Sequence, residues 1–214
     1  TPGRLGEFIK AKYLVDKTKI NYKNSFFTVI IDKISDVVAI ILIALLGFFF
    51  IGKIIPNSQI IVLILTALFI VIILFFLFFH MAPALISSLL PEKYKEWVKT
   101  LLFTRKNYSK TLFLSFLIWF IYIIEGFFIL KALGVSNPPI SGLMIVVTLM
   151  ALFSAIPISL GGVGIRELVA IYFLILLGIP AEKSTLFSIL YGIVSSGTPA
   201  LVGVILYAKQ KNSA

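Results

Sequence analysis

Long apolar runs separated by short charged blocks dominate the chain. Asp, Glu, Lys and Arg are absent from Val37 to Gly52, Ile54 to Pro91, Thr111 to Ile124, Ala132 to Ile165 and Ser184 to Ala208. An ionised side chain at the bilayer centre costs a few kcal/mol or more, so charge-free stretches mark membrane crossings. A helix needs about 20 apolar residues to cross a hydrocarbon core of about 30 Å. The pattern predicts helices near Ile34–Ile51, Gln59–Phe79, Leu112–Leu133, Pro139–Ala155, Ile165–Leu177 and Ser184–Tyr207. The runs are continuously apolar rather than alternating, which argues against a β-barrel. The expected fold is all-α, a polytopic membrane bundle of about six helices forming one domain over residues 1–214.

Composition agrees. Of 214 residues, 60% are hydrophobic and 13% charged, against roughly 45–50% and about 25% in soluble domains. The chain has no cysteine and one histidine, which excludes thiolate metal sites, disulfides and thiol nucleophiles, and no metal site is expected. The net charge of +10 sits in blocks between apolar stretches, a pattern of membrane orientation and anionic headgroups rather than nucleic acid. Seven bases precede the first span (Arg4, Lys10, Lys12, Lys17, Lys19, Lys23, Lys33) and six precede the third (Lys93, Lys95, Lys99, Arg105, Lys106, Lys110). Lys53, Lys131 and Lys183 stand alone in the turns between. The positive-inside bias therefore sets both ends of this chain in the cytoplasm of a protein integral to the cell membrane.

Pro91 to Phe103 has a different period. Tyr94, Trp97, Val98, Leu101 and Leu102 line one helical face and Glu92, Lys93, Lys95, Glu96 and Lys99 the other, as in a surface helix lying in the headgroup layer or packed on the protein's own cytoplasmic face. The chain opens at Thr1 without methionine or signal peptide, as though preceding helices had been cut away.

Pro157 to Glu167, PISLGGVGIRE, interrupts a long apolar region with a proline, three glycines and an Arg-Glu pair. The following stretch, Ile165 to Leu177, reaches only about 20 Å as a helix, too short to cross alone. A broken or re-entrant helix pair is expected, with Gly161, Gly162 and Gly164 allowing the turn and Arg166 and Glu167 in the first turn of a half-helix, where free N–H groups attract an anion. The competing reading is an ordinary cytoplasmic turn with a surface ion pair. Thr1 to Glu7, TPGRLGE, holds the same ingredients, with Arg4 and Glu7 standing where Arg166 and Glu167 do; Tyr13 and Tyr172 follow each copy. The two copies suggest an inverted repeat, and transporters bind substrate where broken helices of such repeats meet.

PGRLGE within Thr1 to Leu14, Asp32-Lys-Ile-Ser-Asp36, Trp119, the Ala132-Leu-Gly134 turn and above all PISLGGVGIRE resemble the flippase-like transmembrane region of the lysylphosphatidylglycerol synthase family, over most of the chain. Leu160 departs from the family's second proline, and Tyr191 and Gly192 stand near where it often carries an arginine. No aminoacyl-transferase domain follows, so the resemblance implies the lipid-moving half: a transporter flipping a charged phospholipid or polyprenyl-linked lipid between leaflets. On that reading Arg4 and Arg166 contact phosphate, because a guanidinium forks onto two oxygens and is weakly hydrated. Glu7 and Glu167 pair with them or meet a cationic headgroup such as an aminoacyl amine.

Other polar positions join this pathway or have plainer uses. Glu125, with Tyr122 a turn earlier, lies inside a span, either on the headgroup path or in proton coupling, or as an interhelical or snorkelling group. Asp32 and Asp36 share a helix face, at the interface or on the pathway. Ser195 to Pro199 is a polar break read as a kink or gating hinge, and His80 as interfacial packing. Gly162-Val-Gly164 lacks a dinucleotide fingerprint, and Walker, nucleophile-elbow and HExxH motifs are absent, so neither cofactor nor enzymatic role is expected. The alternatives are a lipid-presenting subunit for a partner glycosyl- or aminoacyl-transferase, and a small-solute carrier. The expected partners are anionic or aminoacylated phospholipids or polyprenyl-linked lipids, with a partner lipid-modifying enzyme and a homo-oligomer as further associations.

Overall fold

A computed structural model describes residues 21–51, 55, 58–89, 108–154 and 163–211, with residue 15. These form six helices and no strand: α1 Tyr22–Ile51, α2 Ser58–Leu89, α3 Tyr108–Ala132, α4 Ile140–Ser154, α5 Ile165–Leu176 and α6 Ala181–Lys211. Each of the six expected spans has its helix. Thr28–Ile51, Ser109–Ala132 and Ala181–Val204 are each 24 residues long and apolar enough to cross a membrane, while Ser58–Leu74 and Ile140–Ser154 are shorter apolar stretches. The amphipathic stretch 91–103 lies outside the described residues.

Three helices, α1, α2 and α6, extend well beyond the expected spans, while α4 and α5 stop at or one residue inside theirs. α1 starts at Tyr22 rather than Ile34 and carries Asp32, Lys33 and Asp36 in its interior. Charge spacing marks where hydrocarbon begins, not where a helix stops, and these charges find partners. Lys33 Nζ lies 3.5 Å from Asp36 Oδ2 one turn away, and the Ser115 hydroxyl of α3 donates to Asp36 Oδ1 at 2.8 Å. Likewise α2 continues past His80 and Pro83 to Leu89, and α6 stays helical through Pro199.

α4 is the centre of the bundle. Ten of its 15 residues are buried, from Gly142 to Ser154, as expected of a helix apolar all round. It packs on α1, α3 and α5; α3 also meets α1 and α6, and α5 packs on α6. α1 and α4 run antiparallel in close contact, for a Cβ on Gly47 would lie 2.9 Å from the Ser141 carbonyl oxygen. α4 and α5 form an antiparallel hairpin: Gly142, at the start of α4, abuts Leu177 just past the end of α5, and Ser154 and Arg166, at the hairpin's other end, share a cavity. With 15 and 12 residues, the two helices reach about 22 and 18 Å, each short of a hydrocarbon core of about 30 Å.

The outer surface is apolar. Phe49 is 83% exposed, and Phe50, Leu63, Phe113, Phe128 and Leu201 are also well exposed, on four different helices. Water would not tolerate so broad an apolar girdle; lipid requires it. The protein is an integral membrane helix bundle.

Candidate functional site

The site begins where α5 begins. Gly164 has φ +93°, a left-handed conformation open to glycine and costly for other residues, and it turns the chain into α5. Three residues on, Glu167 reaches back so that Oε2 accepts the Gly164 N–H at 2.5 Å. Its other oxygen accepts from Arg166 Nε at 3.0 Å and Nη2 at 2.9 Å. The pair is largely covered, with side chains 17% and 21% exposed. The anion-attracting N-terminus read from the sequence is thus met by the chain's own carboxylate. The positive group turned outward from it is Arg166.

Depth gives this arrangement its significance. Arg166 lies against Gly192, eleven residues into the 24-residue apolar segment Ala181–Val204 of α6, about 16 Å along it at 1.5 Å per residue. Trp119, on the same cavity, stands ten residues into Ser109–Ala132, about 15 Å from its start. Measured along α6, the guanidinium lies about halfway down a segment apolar enough to cross a membrane.

Around Arg166 is a cavity of about 300 Å³, at the lower end of small-molecule pockets, which run about 300–1,000 Å³. It is large enough for a headgroup and too small for a lipid. α1 supplies Asp32, Lys33 and Asp36; α3 supplies Trp119 and Tyr122; α4 supplies Ser154 over a floor of Val147 and Met150; α6 supplies Tyr191, Ser195 and Ser196. The Trp119 and Tyr122 rings are tilted together at 5.4 Å. Trp119 is 7% exposed, and its indole Nε1 is sealed from solvent with no acceptor among the described residues. At the far end Tyr191 stacks on Phe187 at 5.5 Å and 22°. Phe187 is fully buried and lies against α3 at Gly126, so Tyr191 is backed by a ring packed between α6 and α3.

Of the residues singled out from the sequence, Asp32, Asp36, Tyr122 and Arg166 meet on the cavity, Glu167 stands behind Arg166, and Gly164 makes the turn. Glu125 does not line it; it lies one turn beyond Tyr122, with Oε1 buried and unpartnered among the described residues. Arg4, Glu7, Gly161 and Gly162 lie outside the described residues, and with them the first copy of the repeat. Lys33, Ser154 and Gly192 were not legible as site residues. Trp119 had a signal, since an indole N–H in mid-span needs an acceptor, as did Ser195 and Ser196, read only as a break.

One protein family, described as lysylphosphatidylglycerol synthase TM region, matches residues 1–203. No curated protein and no solved structure matches the chain.

Proposed function

The chain belongs to the lysylphosphatidylglycerol synthase TM-region family, and from that premise we propose that it carries charged lipid headgroups between leaflets, with the cavity at Arg166 as the headgroup site. The carrying observation is a guanidinium near mid-span, beside a headgroup-sized cavity and held from behind by Glu167. A phosphate needs such a group because hydrocarbon offers it neither water nor counter-ion. Arginine meets that need: its fork serves two oxygens, and one edge remains when the other is bound to Glu167. Asp32 and Asp36 line the same cavity with Trp119 and Tyr122, a setting for an ammonium group that would join or replace Lys33 at Asp36. A phospholipid bearing both phosphate and amine, such as an aminoacylated one, matches both walls. A plain anionic phospholipid or polyprenyl-linked lipid uses Arg166 alone.

The basic segments before α1 and α3 favour a cytoplasmic side for the starts of those helices. Asp32, Asp36 and Ser115 belong to the same ends, so the cavity faces the inner leaflet. A headgroup enters there, its acyl chains remaining in lipid, and its phosphate competes with Glu167 for Arg166. Passage requires the Phe187–Tyr191 stack to part, and release follows when Glu167 recaptures the guanidinium.

The test is lipid movement in proteoliposomes carrying fluorescent phosphatidylglycerol, phosphatidylethanolamine or phosphatidylcholine, read by dithionite quenching. Movement that depends on headgroup and vanishes in folded Arg166→Ala supports the reading. Wild-type-like movement in Arg166→Ala removes the site; absence of movement with every headgroup points to a lipid-presenting partner of a separate enzyme.

A further inference from the structure

Gly192 has no functional group and lies in the middle of a helix, where glycine is the poorest choice apart from proline. Its surroundings account for it. A Cβ at this position would lie 2.5 Å from Arg166 Nη2, 3.0 Å from Cζ and 3.5 Å from Nη1, all three of its nearest atoms belonging to the guanidinium. Other glycines of the same helix do not share this: Gly197 and Gly203 have nothing within 4 Å. Gly192 is thus a notch in α6 shaped by, and filled with, the head of Arg166.

We infer that Gly192 is the positioning residue for Arg166, an indentation that lets the guanidinium lie flat on α6 at mid-span with one edge on Glu167 and the other toward the cavity. This rests on the headgroup role proposed for Arg166, but the seat can be measured without it. When a Cβ is added, the atom that yields is the tip of a flexible side chain and not a backbone. Nη2 must move, and its 2.9 Å bond to Glu167 Oε1 moves with it. The bond from Gly164 N–H to Glu167 Oε2 does not involve Arg166, so the start of α5 keeps its cap. Alanine also favours helix over glycine. The substitution Gly192→Ala should therefore displace Arg166 while α5 keeps its cap and α6 gains helix propensity, so any loss of stability stays below that of Glu167→Ala, which gives up both the ion pair and the cap.

The chain has three arginines, Arg4, Arg105 and Arg166, so protein labelled with ¹⁵N-arginine gives three Nε–H signals in nanodiscs, and Arg166→Lys assigns the relevant one. In Gly192→Ala this signal should shift and exchange faster with water, while Gly197→Ala leaves it in place. In proteoliposomes with fluorescent phosphatidylglycerol, Gly192→Ala should slow movement about 10-fold or more, the scale set by misplacing a positioned group by about 1 Å, and Gly197→Ala should not. An unmoved Arg166 signal overturns the seat. A moved signal with unchanged lipid movement leaves the seat standing and overturns its positioning role. If Arg166→Ala itself moves lipid normally, the headgroup reading falls, and the spectrum alone decides the seat.

Discussion

Glu167 makes two separable interactions, and two substitutions separate them. Its Oε2 caps α5 through Gly164 N–H, and its Oε1 holds Arg166 Nε and Nη2. Glu167→Gln keeps a neutral carbonyl oxygen for the cap and gives up the charge. Removing one partner of a buried ion pair costs about 3–5 kcal/mol; here both side chains are 17–21% exposed and Arg166 borders a cavity, so about 2–3 kcal/mol is expected, in line with charge-assisted hydrogen bonds. Glu167→Ala loses the cap as well, a further ~1 kcal/mol. Stability against denaturant in mixed micelles should fall in the order wild type, Gln, Ala. A second readout has the opposite sign. With its internal competitor neutralised, Arg166 is left for an external anion, so adding phosphatidylglycerol should stabilise Glu167→Gln more than wild type, as a ligand binding only the folded state does. Equal damage from Gln and Ala would refute the two-part role of Glu167. An identical response of wild type and Gln to the anionic lipid would refute the competition for Arg166.

Further outcomes follow from single distances and exposures. Gly164→Ala, at φ +93° with nothing within 4 Å of its Cβ, should lose about 1–2 kcal/mol purely from backbone strain, measured in the same unfolding assay. Phe187→Ala removes a fully buried ring and should cost about 3–5 kcal/mol in melting experiments. The chain has no cysteine, so Ser195→Cys can be probed directly with a membrane-impermeant maleimide. It should label from one side of the membrane only, and from both when combined with Phe187→Ala; labelling from both sides in the single variant would mean that the Phe187–Tyr191 stack is no plug.

The sequence announced the helices because membrane crossings are set by one physical quantity, the cost of charge in hydrocarbon, and that quantity is local. It announced their ends less well, because Asp32, Lys33 and Asp36 continue α1 through contacts that include Ser115, a residue 79 positions away from Asp36. The same limit governs the site. Arg166, Glu167 and Gly164 were legible as a cluster, since a proline-glycine break followed by charges stands out against an apolar background. Asp32 and Asp36 were legible as one face, but whether it met an interface or a cavity depended on α3 and α4. Gly192 stood out only as a place near which the family often carries an arginine; that a guanidinium from another helix lies on it depends on how α5 packs against α6.

On the proposed reading, the break in the apolar core follows from what an arginine at mid-depth demands. A continuous span beginning at the membrane surface places its first turn at the surface, so an arginine in that turn meets headgroups and water. To hold Arg166 near mid-span in the first turn of a helix, the helix must start inside, and a helix of 12 residues is about half a crossing. Such a start leaves the first N–H groups of α5 without intrahelical partners at a depth where lipid accepts no hydrogen bond. Glu167 takes the Gly164 N–H, and the helices around the hairpin keep lipid away, α1 and α3 against α4 and α6 against α5. The same carboxylate then neutralises the arginine. The short helix, its glycine start, the glutamate at its third position and the mid-depth arginine are therefore one solution to one electrostatic problem. Any anion that reaches Arg166 has to offer it a better partner than Glu167 does.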